Sequence, residues 1–156
     1  MSIETPADDF VSELNAVRDG WNVAMGVRFV RASADEVIVE WDVADQHRQP
    51  YGIVHGGVHA GVIETIASVG AAIYATPRGQ AVVGLENHTS FIHAVREGLL
   101  RGTARPLTRG RRTQVWEGTI TDSTGRIVAT GRVRLLCLDP DTALAGSKVE
   151  RTSRVG

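Results

Sequence analysis

The sequence predicts an α+β domain in which an antiparallel sheet wraps around one long helix. Three observations carry that expectation. One long apolar segment runs from about Gly57 to Tyr74 and is closed by the turn formers Thr76-Pro77-Arg78-Gly79. Two strand-like runs come before it. Four more follow, separated by short stretches of turn residues. At 156 residues the chain reads as a single domain spanning 1–156, long enough to bury roughly two-thirds of its unfolded surface.

Residues 6–19 read as a short leading helix, with Phe10, Leu14 and Val17 spaced for one face. Strand-like runs follow near 24–32 and 36–43, and the latter part of the second alternates apolar and polar residues, as a half-buried strand does. Residues 44–56 are a loop of turn formers and polar groups, including His47, Gln49, Pro50, Gly52, His55 and Gly56. In the long helix each glycine costs about 1 kcal/mol relative to alanine, so propensity does not explain them. Arrangement explains them better. At about 100° per residue, Ala60, Gly61, Ala67, Ser68 and Ala71 lie close to the azimuth of Glu64. Small side chains around a carboxylate leave room for a sheet or a ligand. The four late strands are Gln80 to Val95, Gly98 to Leu107, Arg112 to Asp122 and Arg126 to Leu138. Their separators, Arg96-Glu97-Gly98, Thr108-Arg109-Gly110 and Asp122-Ser123-Thr124-Gly125, read as hairpin turns. Residues 139–156 read as a loosely ordered polar tail.

Composition narrows the function classes. Hydrophobic residues make up 42% and charged residues 22%, as in an ordinary globular protein. The net charge of −1 argues against a nucleic-acid partner, which calls for a clearly basic surface. No apolar run reads as reaching the ~18 residues of a membrane span, and the acidic start, Met1 to Phe10, lacks the pattern of a signal peptide. The single Cys137 falls in the apolar run Val133 to Leu138, which reads as a buried strand and leaves no intrachain disulfide. A cytoplasmic location is the resulting expectation.

The chemistry concentrates in the long helix and the loop before it. Glu64 is the only charge between His59 and Tyr74. An ionised carboxylate in such surroundings costs several kcal/mol unless it is paired or hydrogen-bonded. At the helix start, Gly56 and Gly57 would offer unpaired N–H groups and the positive end of the dipole, with no side chain to block an incoming oxygen. Such a site can polarise a carbonyl and stabilise an oxyanion. Glu64 could act as nucleophile or general base. Ser68, one turn on, could hydrogen-bond the carboxylate or hold a water, and Gln49 is a polar contact near the reacting carbonyl. Eight residues of helical rise separate Gly56 from Glu64 by ~12 Å, so the two cannot meet at one atom in one chain. If both are catalytic they act in different subunits, which predicts a dimer with shared sites.

These residues resemble the hotdog-fold acyl-CoA thioesterases, which carry a loop ending in His-Gly-Gly and an acidic residue about eight positions on. The chain has His55-Gly56-Gly57 and Glu64. The stretch from His47 to Thr65 is most similar to the Arthrobacter-type 4-hydroxybenzoyl-CoA thioesterases, while the wider phenylacetate-pathway branch often has aspartate in the place of Glu64. The resemblance implies a hotdog fold and hydrolysis of an acyl-CoA, plausibly an aromatic one, to free acid and coenzyme A without metal or organic cofactor. It implies that the Gly56 N–H binds the thioester carbonyl and that Glu64 of the facing subunit attacks it or activates water. Gln49 and His55 would shape the site, and Ser68 would stand where the family has a hydroxyl that assists hydrolysis. It also implies a homotetramer of two dimers, each joining its sheets edge to edge. Two rivals remain: a hotdog module that binds acyl-CoA without cleaving it, and a hotdog hydratase or dehydratase, whose aspartate is missing after Pro50.

Coenzyme A carries phosphates, and Arg109, Arg111 and Arg112 form the densest basic cluster in the chain. Guanidinium forks match phosphate oxygens. Arg96, Lys148, Arg151 and Arg154 are weaker candidates. His55 and His59 are four apart, but Glu64 lies about 140° and 180° around the helix from His59 and His55, which argues against a metal site. If Val83, Leu85, Asn87, Thr89 and Phe91 share one strand face, Asn87 and Thr89 could reach an acyl pocket; His88 and His93 lie on the same strand. Trp21, Trp41 and Trp116 read most simply as packing residues.

Overall fold

The computed structural model describes residues 10–149. The long helix, α3, spans Gly56–Ala75 and continues into a 3-10 turn at Thr76–Arg78 that ends on Gly79 in the left-handed conformation, φ 76°. Six antiparallel strands curve around it: β1 (Arg28–Ala32), β2 (Val37–Asp42), β3 (Ala81–Phe91), β4 (Leu99–Arg109), β5 (Thr113–Asp122) and β6 (Ile127–Leu138), in the order β1-β2-β4-β5-β6-β3. This is the expected hotdog architecture, one antiparallel sheet around one helix. Val62, Ile63 and Ile66 are fully buried in the sheet's concave face, each contributing roughly 1.5–3 kcal/mol.

The glycines let helix and sheet approach closely. A Cβ on Gly70 would come within 2.3 Å of the buried Trp116 ring. Gly102 and Gly118 receive Val62, Ile66 and Ile63 in the same way from the sheet side. Trp41 and Trp116 are core residues, as expected. Trp116 Nε1 donates to Gln114 Oε1 at 2.9 Å, and Gln114 Nε2 donates to the Ala71 carbonyl at 3.1 Å and reaches Cys137 Sγ at 3.6 Å, which binds α3 to the sheet through buried polar groups.

Several sequence expectations are corrected. The leading helix, α1, is only Val11–Asn15 among the described residues, and residues 6–9 lie outside them. It ends early because the Asn15 side chain clasps β1, donating to the Phe29 carbonyl and accepting from the Phe29 N–H, both at 2.9 Å. The run near 24–32 is extended only from Arg28, since Trp21–Ala24 forms a helical turn, α2, that lays Trp21 over Gly61. Arg96-Glu97-Gly98 is not a hairpin turn. β3 pairs with β6 and β4 with β2, so this segment crosses the sheet, held by Val54 N–H to the Val95 carbonyl at 2.8 Å and Val43 N–H to the Gly98 carbonyl at 3.0 Å. After Leu138 the chain forms a small hairpin, β7 (Ala143–Leu144) and β8 (Ser147–Lys148), where a loose tail was expected; residues 150–156 lie outside the described part. Finally, the stretch Gly56–Arg78, 23 residues with mean hydropathy 1.4, is long and apolar enough by composition to cross a membrane, contrary to the reading of its apolar runs. In the fold it is the helix that the sheet encloses.

Candidate active site

The loop before α3 is fixed by His47. Its buried imidazole accepts the Ala44 N–H at Nδ1 (2.9 Å) and donates from Nε2 to the Met25 carbonyl (2.9 Å), and its carbonyl receives the His55 N–H (2.8 Å). His55 is thereby placed as the N-cap of α3, and its Nδ1 accepts the Gly57 N–H at 2.8 Å. The Val58 N–H is taken by the His55 carbonyl at 2.9 Å. The Gly56 N–H has no partner among the described residues. Of the donors that open α3, the one expected to meet a carbonyl is the one left free.

Gly56 lines an open pocket of about 460 Å³ whose wall also includes Gln49, His55, His59, Phe91 and His93. Gln49, His55 and Gly56, all singled out from the sequence, therefore converge. Gln49 is held by a backbone exchange in its tight loop, its N–H bonding the Ile53 carbonyl at 2.9 Å while its own carbonyl receives the Gly52 N–H at 2.8 Å. Phe91, at the end of β3, stands over the helix start, 6.4 Å from the His59 ring centroid. His59 is only 3% exposed, its Nδ1 lacks a partner among the described residues, and burial pushes its pKa down to about 4, so it is a neutral group in the pocket wall. Its part in the pocket wall was not legible from the sequence, where it read only as a discarded metal ligand.

Glu64 and Ser68 do not line this pocket. Glu64 is half-buried on the side of α3 that faces β3, and it forms no ion pair with any described residue. Asn87 Nδ2 donates to Glu64 Oε2 at 3.0 Å and to the Ala60 carbonyl at 2.9 Å, and Thr89 Oγ1 donates to Asn87 Oδ1 at 2.6 Å. Glu64 Oε1 lies 2.4 Å from where a Cβ on Gly84 would stand. Ser68 is half-buried and makes no side-chain hydrogen bond among the described residues, so Asn87 fills the place on the carboxylate that Ser68 was a candidate for. His88 and His93 diverge from this network, and His93 Nδ1 meets the Ile127 carbonyl at 2.7 Å.

The arginine cluster lies at the other end of α3. Arg109 and Arg111 border a second open pocket of about 480 Å³ with Tyr74, Arg78, Gln80 and Asp139. Arg109 is engaged, donating to Asp35 Oδ1 at 2.7 Å and the Ala34 carbonyl at 2.8 Å, with its guanidinium 4.7 Å from the Tyr74 ring centroid. Arg111 and Arg112 are exposed and form no ion pair with the described residues. Arg96 instead ties the loop down through the Tyr51 carbonyl at 2.7 Å, and Lys148 pairs with Asp141 at 2.9 Å. Arg151 and Arg154 fall outside the described residues.

Comparison with known proteins gives one consistent answer. A family model described as "Thioesterase superfamily" matches residues 51–129, the span from the loop before α3 into β6. The curated "Putative esterase Rv1847" of Mycobacterium tuberculosis is 40% identical over 136 residues, 86% of this chain and 96% of that protein. Its solved structure superposes with a TM-score of 0.74 at 42% identity, covering 76% of this chain and 95% of that one. The solved "thioesterase HI1161" of Haemophilus influenzae has a TM-score of 0.76 at 27% identity, covering 83% of this chain and 90% of its own. With the family match, the 40% identical relative and the shared fold, the chain belongs to the thioesterase superfamily.

Proposed function

We propose that the protein hydrolyses an acyl-CoA thioester, with an aromatic acyl group such as 4-hydroxybenzoyl the first candidate, to free acid and coenzyme A. Gly56, whose N–H has no partner among the described residues and which lines the same pocket as Gln49, carries this reading. A backbone donor preorganised at a helix N-terminus stabilises the oxyanion of acyl transfer, worth roughly 3–4 kcal/mol. The thioester carbonyl oxygen sits on Gly56, with Gln49 beside it and His55 holding the helix start in shape. Glu64 of the facing subunit then either adds to the carbonyl carbon or takes a proton from water, and the thiolate of coenzyme A leaves. Ser68 assists the hydrolytic step. With both residues acting on one carbonyl, the ~12 Å between Gly56 and Glu64 in one chain calls for a second subunit.

The β3 edge supports that assembly. It is an eleven-residue strand paired on one side only, and it exposes Leu85 and Phe91, with Ile92 exposed just after it. A long strand with one row of backbone groups unpaired is a surface for pairing with another strand. Two such dimers make the proposed homotetramer. Arg111 and Arg112, with Arg109 as the fixed member of the cluster, are assigned to the phosphates of coenzyme A. No metal or organic cofactor, nucleic acid or membrane enters the reaction, and the site of action is the cytoplasm. Thiol release from 4-hydroxybenzoyl-, benzoyl-, phenylacetyl-, short-chain and long-chain-CoA tests the reading. Turnover of an aryl thioester supports it, while tight binding with no release from any member would favour a non-catalytic acyl-CoA-binding module.

A further inference from the structure

A regular strand sends residues 84 and 87 to opposite faces, because side chains alternate with period two. In β3 both face Glu64. The register with β6 explains how: Gly84 pairs with Leu135 and Glu86 with Arg134, so Leu85 is an extra, unpaired residue. This β-bulge shifts the phase of the strand. Before it Gly84 lies toward α3, and after it Asn87, Thr89 and Phe91 do, while Leu85 is turned out and 50% exposed. The single face expected for Val83, Leu85, Asn87, Thr89 and Phe91 is broken at this point. Bulges recur beside functional sites, where they re-aim side chains.

The Asn87 amide has one orientation that satisfies its neighbours. Ala60 O and Glu64 Oε2 both accept, so both amide hydrogens point to α3 and Oδ1 is left to accept from Thr89. One hydrogen grips the fixed helix backbone and the other grips the carboxylate. Gly84 supplies the space in which the other carboxylate oxygen rests. The groups around Glu64 are thus neutral: Ala60 from α3, and Gly84 and Asn87 from β3.

We infer that Asn87, oriented by Thr89 and delivered by the bulge at Leu85, is a positioning residue that holds the Glu64 carboxylate in one rotamer for the reaction. The inference rests on Glu64 being the attacking or base carboxylate of the proposed hydrolysis. A side chain that only tied β3 to α3 would affect stability. One that aims a carboxylate governs kcat, since misplacement by about 1 Å can cost ~100-fold.

The test is steady-state kinetics of wild type, Asn87→Ala, Asn87→Asp, Thr89→Val and Glu64→Gln, with thermal melting of each. Asn87→Ala lowers kcat by ~10–100-fold with KM within ~3-fold of wild type. Added to Glu64→Gln it costs nothing further, because residues acting as a unit are not additive. Asn87→Asp sets a second carboxylate beside Glu64, opposes its ionisation, and moves the acid limb of kcat/KM to higher pH. Thr89→Val lowers kcat with unchanged melting, which reads the effect even if Asn87→Ala unfolds. A wild-type enzyme that turns over while Asn87→Ala and Thr89→Val stay within ~2-fold of its kcat overturns the inference alone. An equal loss from Asn87→Ala in the Glu64→Gln background overturns it too. A wild type that cleaves no thioester removes the underlying reading as well, and is told apart by the absence of any activity to lose.

Discussion

The ring of Phe91 occupies the space above Gly56 so closely that a Cβ on the glycine would come within 2.7 Å of it. The end of β3 and the start of α3 thus form one surface, and a side chain at position 56 would have to displace the ring. The contact joins the two halves of the proposed chemistry, since the same strand that covers Gly56 carries the Asn87 amide bonded to Glu64.

Gly56→Pro removes the N–H while suiting the backbone. Position 56 is the first of the helix, where proline is favoured, and His55 at φ −64°, ψ 133° already has the conformation proline demands of its predecessor. Phe91, 59% exposed, can turn aside for the ring. We expect a folded protein whose kcat falls by ~10²–10³-fold, measured by thiol release and circular dichroism.

Gly70→Ala and Gly61→Ala should separate by sign or size although both fill a helical glycine. At Gly70 the new methyl meets Trp116, which is fully buried and cannot retreat. At Gly61 it meets Trp21 at 2.5 Å, but that ring is 42% exposed and can swing out. Urea unfolding should show Gly70→Ala destabilised by about 1–3 kcal/mol. Gly61→Ala should be near neutral, with the ~1 kcal/mol propensity gain of alanine offsetting the displaced tryptophan.

Stability should fall as the pH drops from about 6.5 toward 4. His59 has its pKa lowered to about 4 by burial, so over that window the unfolded chain binds a proton that the folded one refuses. The contribution is present above the unfolded value and lost on acidification, on the order of 3 kcal/mol at the lower end. His59→Leu should flatten the slope of unfolding free energy between pH 6.5 and 5; an unchanged slope would show that carboxylates account for all of it.

Arg111→Ala should raise KM for an acyl-CoA by roughly tenfold, the worth of one charge-assisted hydrogen bond. It should leave the same acyl group on N-acetylcysteamine unaffected, since that thioester has no phosphates. Equal effects on both would place Arg111 outside the coenzyme A site.

Much of this was legible in the sequence because it lies within one continuous segment. The apolar stretch around Glu64, the His55-Gly56-Gly57 start and the Thr76-Pro77-Arg78-Gly79 close are local signals, and α3 forms within a residue of the expected bounds. The strand runs were visible for the same reason. Their partners were visible only where a hairpin turn joins neighbours, as β4 to β5 and β5 to β6. β3 pairs with β6 across the connection through Arg96–Gly98, and nothing local separates that crossover from a hairpin turn. The bulge at Leu85 exists only in the register between two strands distant in sequence, so the bond between Asn87 and Glu64 could not be foreseen from alternation. The neighbour of the His59 ring in the pocket wall, Phe91, is likewise thirty-two positions away.

The most direct test of a site shared between subunits is thiol release by oligomers that mix two inactive chains, Gly56→Pro and Glu64→Gln. In a mixed dimer one of the two sites joins the intact Gly56 of one chain to the intact Glu64 of the other. Random pairing should then restore about one quarter of wild-type activity, far above either parent. Activity no higher than the parents in a population proven to contain mixed dimers would contradict the account.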